Sequence, residues 1–165
     1  MLIGQEVTLN DMLLCRERRV QYQQQLLSQY HCPVISFCLN IPGPVKTNGE
    51  LRKVFDLGKE KILELIAELG LSTNDSIEIH EKTGDEFIVS VNADAAVIKN
   101  HTTEIEENHK FGRLFDIDVL DQNGVKLSRT SYRKCFVCDC QAQECARSRK
   151  HTLEELLAGV EGLLN

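Results

Sequence analysis

Asp116 and Asp118 stand one residue apart in HKFGRLFDIDVL, residues 109–120, with Arg113 and Gly112 just ahead of them. Phe115, Ile117 and Val119 alternate with Leu114, Asp116, Asp118 and Leu120, the period-two pattern of a strand. The alternation puts both carboxylates on one face of that strand and the apolar set on the other. Like charges so placed repel each other unless a cation lies between them. Mg²⁺ carrying a phosphate-bearing substrate suits an all-oxygen pair, and an arginine beside it suits bidentate phosphate contact. Taken alone, D-x-D also describes the solvated face of an edge strand, so its neighbours have to decide.

Three further groups could do chemistry. Arg16, Arg18 and Arg19, with Glu17 among them, read either as a solvated helix face or as a phosphate clamp. Lys46 follows Pro42-Gly43-Pro44, a stiff turn that fixes a cation just beyond a strand end, where α/β and α+β proteins often bind ligands. Cys135-x2-Cys138, followed by Cys145 and His151, has the donor types and approximate spacing of a small Cys₃His zinc site, with Cys140 as a substitute ligand. The other reading of that group is a set of reduced thiols. Arg147, Arg149 and Lys150 make the same segment locally basic, either as a solvated run or as a patch for an anionic partner.

These residues need elements to hold them. Apolar spacing predicts a helix over 9–30 capped by Asn10 or Asp11, a buried strand over 33–40 and a helix over 50–70 stopped by Gly70. Strands over 77–81 and 86–91 flank the turn Lys82-Thr83-Gly84-Asp85, a helix covers 93–108, and the Asp116 strand follows. Strand, helix, strand, strand, helix, strand is the split βαβ order of a ferredoxin-like sheet, in which the last strand lies antiparallel beside the first. Asp116 and Arg113 would then come close to Asn40 and Lys46. We therefore expect one α+β domain over 1–165. It comprises an N-terminal helix, a core over about 33–121, a Cys-rich segment over 133–151 and a final helix over 152–164 capped by Thr152 and Glu155. A net charge of −6 argues against general affinity for nucleic acid or anionic membrane. No apolar run is long enough to span a bilayer and the N-terminus has no secretory pattern, so a cytoplasmic protein is expected. Seven cysteines in that setting favour thiols or metal ligands over disulfides.

Taken together the motifs resemble a known family, the holo-acyl-carrier-protein synthases of citrate lyase, or apo-citrate lyase phosphoribosyl-dephospho-CoA transferases. The resemblance runs over nearly the whole chain. It rests on R-E-x-R at Arg16–Arg19, P-G-P-x-K ending at Lys46 and E-x-E-x-x-H-x-x-G-R-L-x-D-I-D-V from Glu104 to Val119. Leu127-Ser128-Arg129 and C-x-x-C followed by C-A-R and His151 complete it. Lys110, in place of a proline, and the extra Cys140 depart from the pattern. The resemblance implies that a serine of the citrate lyase acyl carrier subunit attacks the inner phosphorus of 2′-(5″-triphosphoribosyl)-3′-dephospho-CoA and pyrophosphate leaves. Under that reading Asp116 and Asp118 hold Mg²⁺, with Glu106 as a third ligand or base, and His109 either activates the serine or is a hydrogen-bonded structural histidine. Arg113, Lys46 and Arg129 contact the triphosphate, assisted by Arg16 and Arg19, which leaves Arg147 and Arg149 for the carrier. The alternatives are the same chemistry on the malonate decarboxylase carrier, a non-catalytic zinc-stabilised carrier-binding adaptor, and a nucleotide-binding regulator. The last is weakened by the lack of a G-x-x-x-x-G-K-[ST] loop.

Overall fold

In the computed structural model, which describes residues 2–165, helix α1 (Leu9–Tyr30) starts at Thr8. The Thr8 hydroxyl accepts from the Asp11 amide, and the Asp11 carboxylate accepts from the Thr8 amide at 2.9 Å. The cap is therefore Thr8, two residues before Asn10 and three before Asp11, the two expected caps, with Asp11 as its reciprocal partner. Strand β1 (Val34–Leu39) leads into helix α2 (Gly49–Glu68), which Asn48 caps. Gly70, at φ +64°, ends that helix in the left-handed region, with Leu71 N–H bonded back to Ile66 O.

Strands β2 (Ser72–Glu81) and β3 (Gly84–Asn92) form a hairpin longer than the apolar pattern suggested. The added residues are polar and paired by side chains: Asn92 Nδ2 donates to Ser72 Oγ at 2.8 Å, and Asn74 donates to Ser90. A bulge lies between Thr73 and Ser76. Helix α3 (Ala95–Asn108) is capped by Asp94, and a 3₁₀ turn (Gly112–Leu114) leads into strand β4 (Phe115–Leu120). Helices α4 (Ala142–Ser148) and α5 (Leu153–Leu164) complete the fold, and the Thr152–Glu155 capping box starts α5. The sequence pattern did not announce α4.

The sheet is antiparallel throughout, in the order β2-β3-β1-β4. Helix α2 joins β1 to β2 and β3 lies between them, the arrangement of a split βαβ unit, while β4 pairs with β1 from Val34↔Leu120 to Leu39↔Phe115. One sheet face carries Ile35, Phe37, Phe87, Val89, Val91, Phe115, Ile117 and Val119 against α2 and α3, and this main core draws in Leu2 and Val160. Phe37 stacks on Phe55 at 5.1 Å and meets Phe115 edge-on at 5.4 Å. Gly58 sits over them because a Cβ there would lie 2.4 Å from Phe37 Cζ.

The other face receives α1, whose Leu26 and Leu27 pack on Val34, Ile88 and Leu120. Helix α1 crosses β3, β1 and β2 and reaches β4 through Leu120. The first half of β4 is therefore left open on this face. Along its outer edge, the Phe115 carbonyl accepts from Arg133, Ile117 O from Lys99 Nζ at 3.0 Å, and Val119 O from Leu127 N–H at 2.9 Å. Residues 126–133 and α3 thus close the edge and build walls beside the open floor.

Candidate active site and metal centre

Above that floor lies a cleft of about 660 Å³. Asp116 and Asp118 form its base, Lys99 and Glu106 of α3 one wall, and Lys126, Arg129 and Arg133 the facing segment. Opposite Asp116 in the β1 register is Cys38, whose thiol donates to Asp116 Oδ2 at 3.9 Å. Burial, then the neighbouring Asp118, raises the pKa of Asp116 against the opposing pull of Arg133, Lys126 and Arg19. Asp118 binds Lys126 Nζ at 2.9 Å. Burial opposes the charge on Lys126, yet this bond and the field of the two aspartates outweigh it and raise its pKa.

Glu106, 5% exposed, pairs with Arg133 at 3.2 Å through one oxygen, while its Oε1 is buried without a partner. Burial pushes its pKa up. Gly112 lets the 3₁₀ turn lie flat on α3, since a Cβ there would stand 2.2 Å from Glu106 O. The glycine of the Gly112-Arg113 pair is thus fixed by this close approach to α3.

Of the residues singled out from sequence, Asp116, Asp118, Glu106 and Arg129 line the cleft. Arg129 also binds Glu107 at 3.0 Å. Arg19 is engaged by Glu86, which is 2% exposed, and Arg18 binds Glu81 at 2.7 Å and Glu86 at 3.6 Å. Two members of the expected arginine clamp are therefore tied to carboxylates. Arg16 is exposed and lies within the electrostatic reach of Lys46, whose pKa is lowered by burial and then by Arg16. Lys46 Nζ donates to Ile41 O at 2.6 Å. Arg113 stands apart from the cleft lining, stacked over the Phe136 ring at 5.0 Å.

His109 is in a different layer. Its ring lies 4.9 Å from Phe115 on the α2/α3 side of the sheet, its Nδ1 accepts from Phe111 N–H, and it shares a pocket with Lys61 and His101. That placement removes it from the carboxylates. The sequence reading missed Lys99, Lys126 and Arg133. Only Lys99 carried a signal, because it stands seven residues before Glu106 and so shares a helix face with it.

The cysteine segment forms a second centre. The ligand atoms of Cys135, Cys138, Cys145 and His151 all lie within 4.8 Å of one another. His151 Nε2 is 3.3 Å from Cys138 Sγ, and Cys138 and Cys145 sulfurs are 3.6 Å apart. Val137 N–H donates to Cys135 Sγ; burial works against a thiolate there, and the backbone N–H groups outweigh it and lower the pKa. Burial and donation to the neighbouring sulfurs push Cys145 up to about 12. Four converging N and S donors with backbone support can hold a metal ion. Cys140 is exposed beside Lys150 Nζ at 3.3 Å and takes no part. Among the described residues no other group of three or more His, Cys, Asp or Glu converges in this way, so Glu106 does not complete a three-carboxylate site with Asp116 and Asp118.

With this geometry in view, comparison with known proteins is informative. The family model described as apo-citrate lyase phosphoribosyl-dephospho-CoA transferase matches residues 7–165. A Vibrio cholerae serotype O1 (strain M66-2) protein named probable apo-citrate lyase phosphoribosyl-dephospho-CoA transferase is 39% identical over 160 residues, covering 94% of this chain and 90% of the relative. An Escherichia coli O7:K1 protein named apo-citrate lyase phosphoribosyl-dephospho-CoA transferase is 36% identical over 163 residues, covering 96% and 89%. A similarly named Citrobacter koseri protein is 34% identical over the same length. The chain belongs to the apo-citrate lyase phosphoribosyl-dephospho-CoA transferase family.

Proposed function

We propose that this protein transfers the phosphoribosyl-dephospho-CoA group from its triphosphate precursor to a serine of the citrate lyase acyl carrier subunit. The supporting observation is the cleft itself, with two carboxylates on an open strand face and Lys99, Lys126, Arg129 and Arg133 around them. The serine Oγ forms a bond to the inner phosphorus, the bond from that phosphorus to the bridging oxygen of the leaving group breaks, and pyrophosphate departs. Asp116 and Asp118 suit Mg²⁺, which is commonly held by one or two carboxylates and completed by substrate phosphates. Such an ion would offset charge on the triphosphate. Arg129 and Arg133 orient the phosphates, and Arg16 with Lys46 supplies further cations at the β1 end. Glu106, beside the cleft with one oxygen unpartnered, accepts the serine proton. The Cys₃His centre holds Zn²⁺ as a structural ion, fixing the start of α5 to α4.

The test is intact-mass analysis of the apo carrier subunit after incubation with this protein, the precursor and Mg²⁺, with the malonate decarboxylase carrier in parallel. A mass gain equal to the phosphodiester-linked group on the citrate lyase carrier, with matching pyrophosphate, is expected. No gain on that carrier would overturn the reading.

A further inference from the structure

A second cavity, of about 440 Å³, opens beside the cleft and shares Asn40, Ala142 and Ala146 with it. Its other walls are Pro42, Phe136 and Leu156 together with Cys135, Cys145 and His151 of the cysteine centre, which line it directly. At its lining stands Arg149, a non-glycine residue in the left-handed region at φ 50°. Neither the Arg149 guanidinium nor the Asn40 amide has a side-chain hydrogen bond or ion pair among the described residues. Nothing in the transfer chemistry uses this cavity.

We propose that it is the subsite for the adenine base of the dephospho-CoA moiety, with Arg149 covering the base and Asn40 reading its edge. This rests on the proposed function. In the precursor the second ribose hangs from the 2′ oxygen of the adenosine, so adenine lies two sugars from the reacting phosphorus. The pantetheine arm begins only beyond the 5′-diphosphate. A cavity that shares a wall with the phosphate cleft is therefore reached by the base before the thiol. Its chemistry agrees: flat π-systems favour apolar walls and stack under guanidinium groups, and an amide side chain matches the N6–N7 edge of adenine with one donor and one acceptor. Pockets of this kind combine a largely apolar lining with a few placed polar groups. Arg149, expected from the sequence to form part of a carrier-docking patch, acquires a different partner.

The proposal is tested without turnover, by binding of 3′-dephospho-CoA to the full-length protein. Saturation-transfer NMR should give its strongest signals at adenine H2 and H8. Calorimetry should show affinity for 3′-dephospho-CoA falling at least tenfold in Arg149→Ala and in Leu156→Trp, which fills the cavity, while affinity for inorganic tripolyphosphate stays within twofold of wild type. Strongest saturation at the pantetheine methyl groups, unchanged affinity in both variants, or no binding by the wild type at millimolar ligand would overturn it. Since no carrier is present, intact binding with an unmodified carrier in the mass assay would count against the transferase reading alone.

Discussion

Replacing Asp116 by asparagine should make the protein more stable and nearly inactive at once. Two residues apart on a strand, Asp116 and Asp118 are separated by about 6.6 Å. Two unit charges at that distance repel by about 0.6 kcal/mol in a water-like dielectric and about 2.5 kcal/mol at an effective dielectric near 20. Lys126 neutralises part of this through Asp118, and burial of the Asp116 charge adds to it, so a net gain of about 1–2 kcal/mol is expected. For 165 residues the unfolding entropy is about 0.35 kcal/mol/K, which converts the gain to about 3–6 °C in Tm.

The pH dependence has a definite sign. With its native pKa raised above the unfolded value, Asp116 binds more protons in the folded state between the two, so wild-type stability falls as pH rises through the native pKa. Asparagine lacks this loss. The variant's advantage is full above the raised pKa and shrinks as pH falls through it. Thermal unfolding of both proteins without divalent cation, from pH 8 down to about pH 4, near the ordinary aspartate value, measures the gap. Turnover in the carrier-mass assay should drop at least about a hundredfold, as expected when charge stabilisation worth about 3 kcal/mol is removed. Mg²⁺ should raise the Tm of the wild type only. A variant no more stable than wild type at pH 8, or a gap independent of pH, would refute this account of the strand face.

Other substitutions probe the remaining parts. Glu86→Gln leaves Arg18 and Arg19 facing a neutral partner and should cost about 3 kcal/mol of stability by denaturant unfolding, as removal of one member of a buried ion pair does. His109→Gln should keep turnover within about threefold of wild type and alter mainly Tm, because the ring packs in the α2/α3 layer. Freshly purified, reduced protein should contain close to one equivalent of zinc by elemental analysis, and Cys145→Ser should lower that content and increase amide exchange over residues 133–151.

The parts of this site that could be read from sequence are those written in local periodicity. Alternation placed Asp116 and Asp118 on one face, and the order of elements placed β4 beside β1, because both follow from nearest-neighbour geometry. Lys126 and Arg133 belong to a segment without periodicity, and their roles follow from the unpaired edge of β4, a tertiary fact. Arg18 and Arg19 looked free until the β1–β3 register brought Glu86 beneath α1. Of the two readings His109 allowed, its hydrogen bond from Phe111 N–H and its packing on Phe115 suit the structural one. The 3₁₀ turn between it and Asp116 leaves the histidine on the opposite layer. Helix α4 is seven residues long and holds a cysteine of the Cys₃His cluster where an apolar stripe would otherwise announce it.

The closed edge of β4 has a consequence for how the chain is made. Until residues 126–133 have emerged and docked, Phe115 and Val119 offer unpaired carbonyls along a strand whose neighbours are already apolar and buried, and only Ile117 O has its partner, Lys99 of α3. Such an edge is a template for a strand from another chain. The opposite edge, β2, is protected from the start by its bulge and by Asp75, Glu78 and Glu81. A nascent or truncated chain ending near residue 121 is therefore exposed to intermolecular pairing on one side only. Lys99 and Arg133, which line the finished cleft, also serve as the stoppers that keep the sheet from growing.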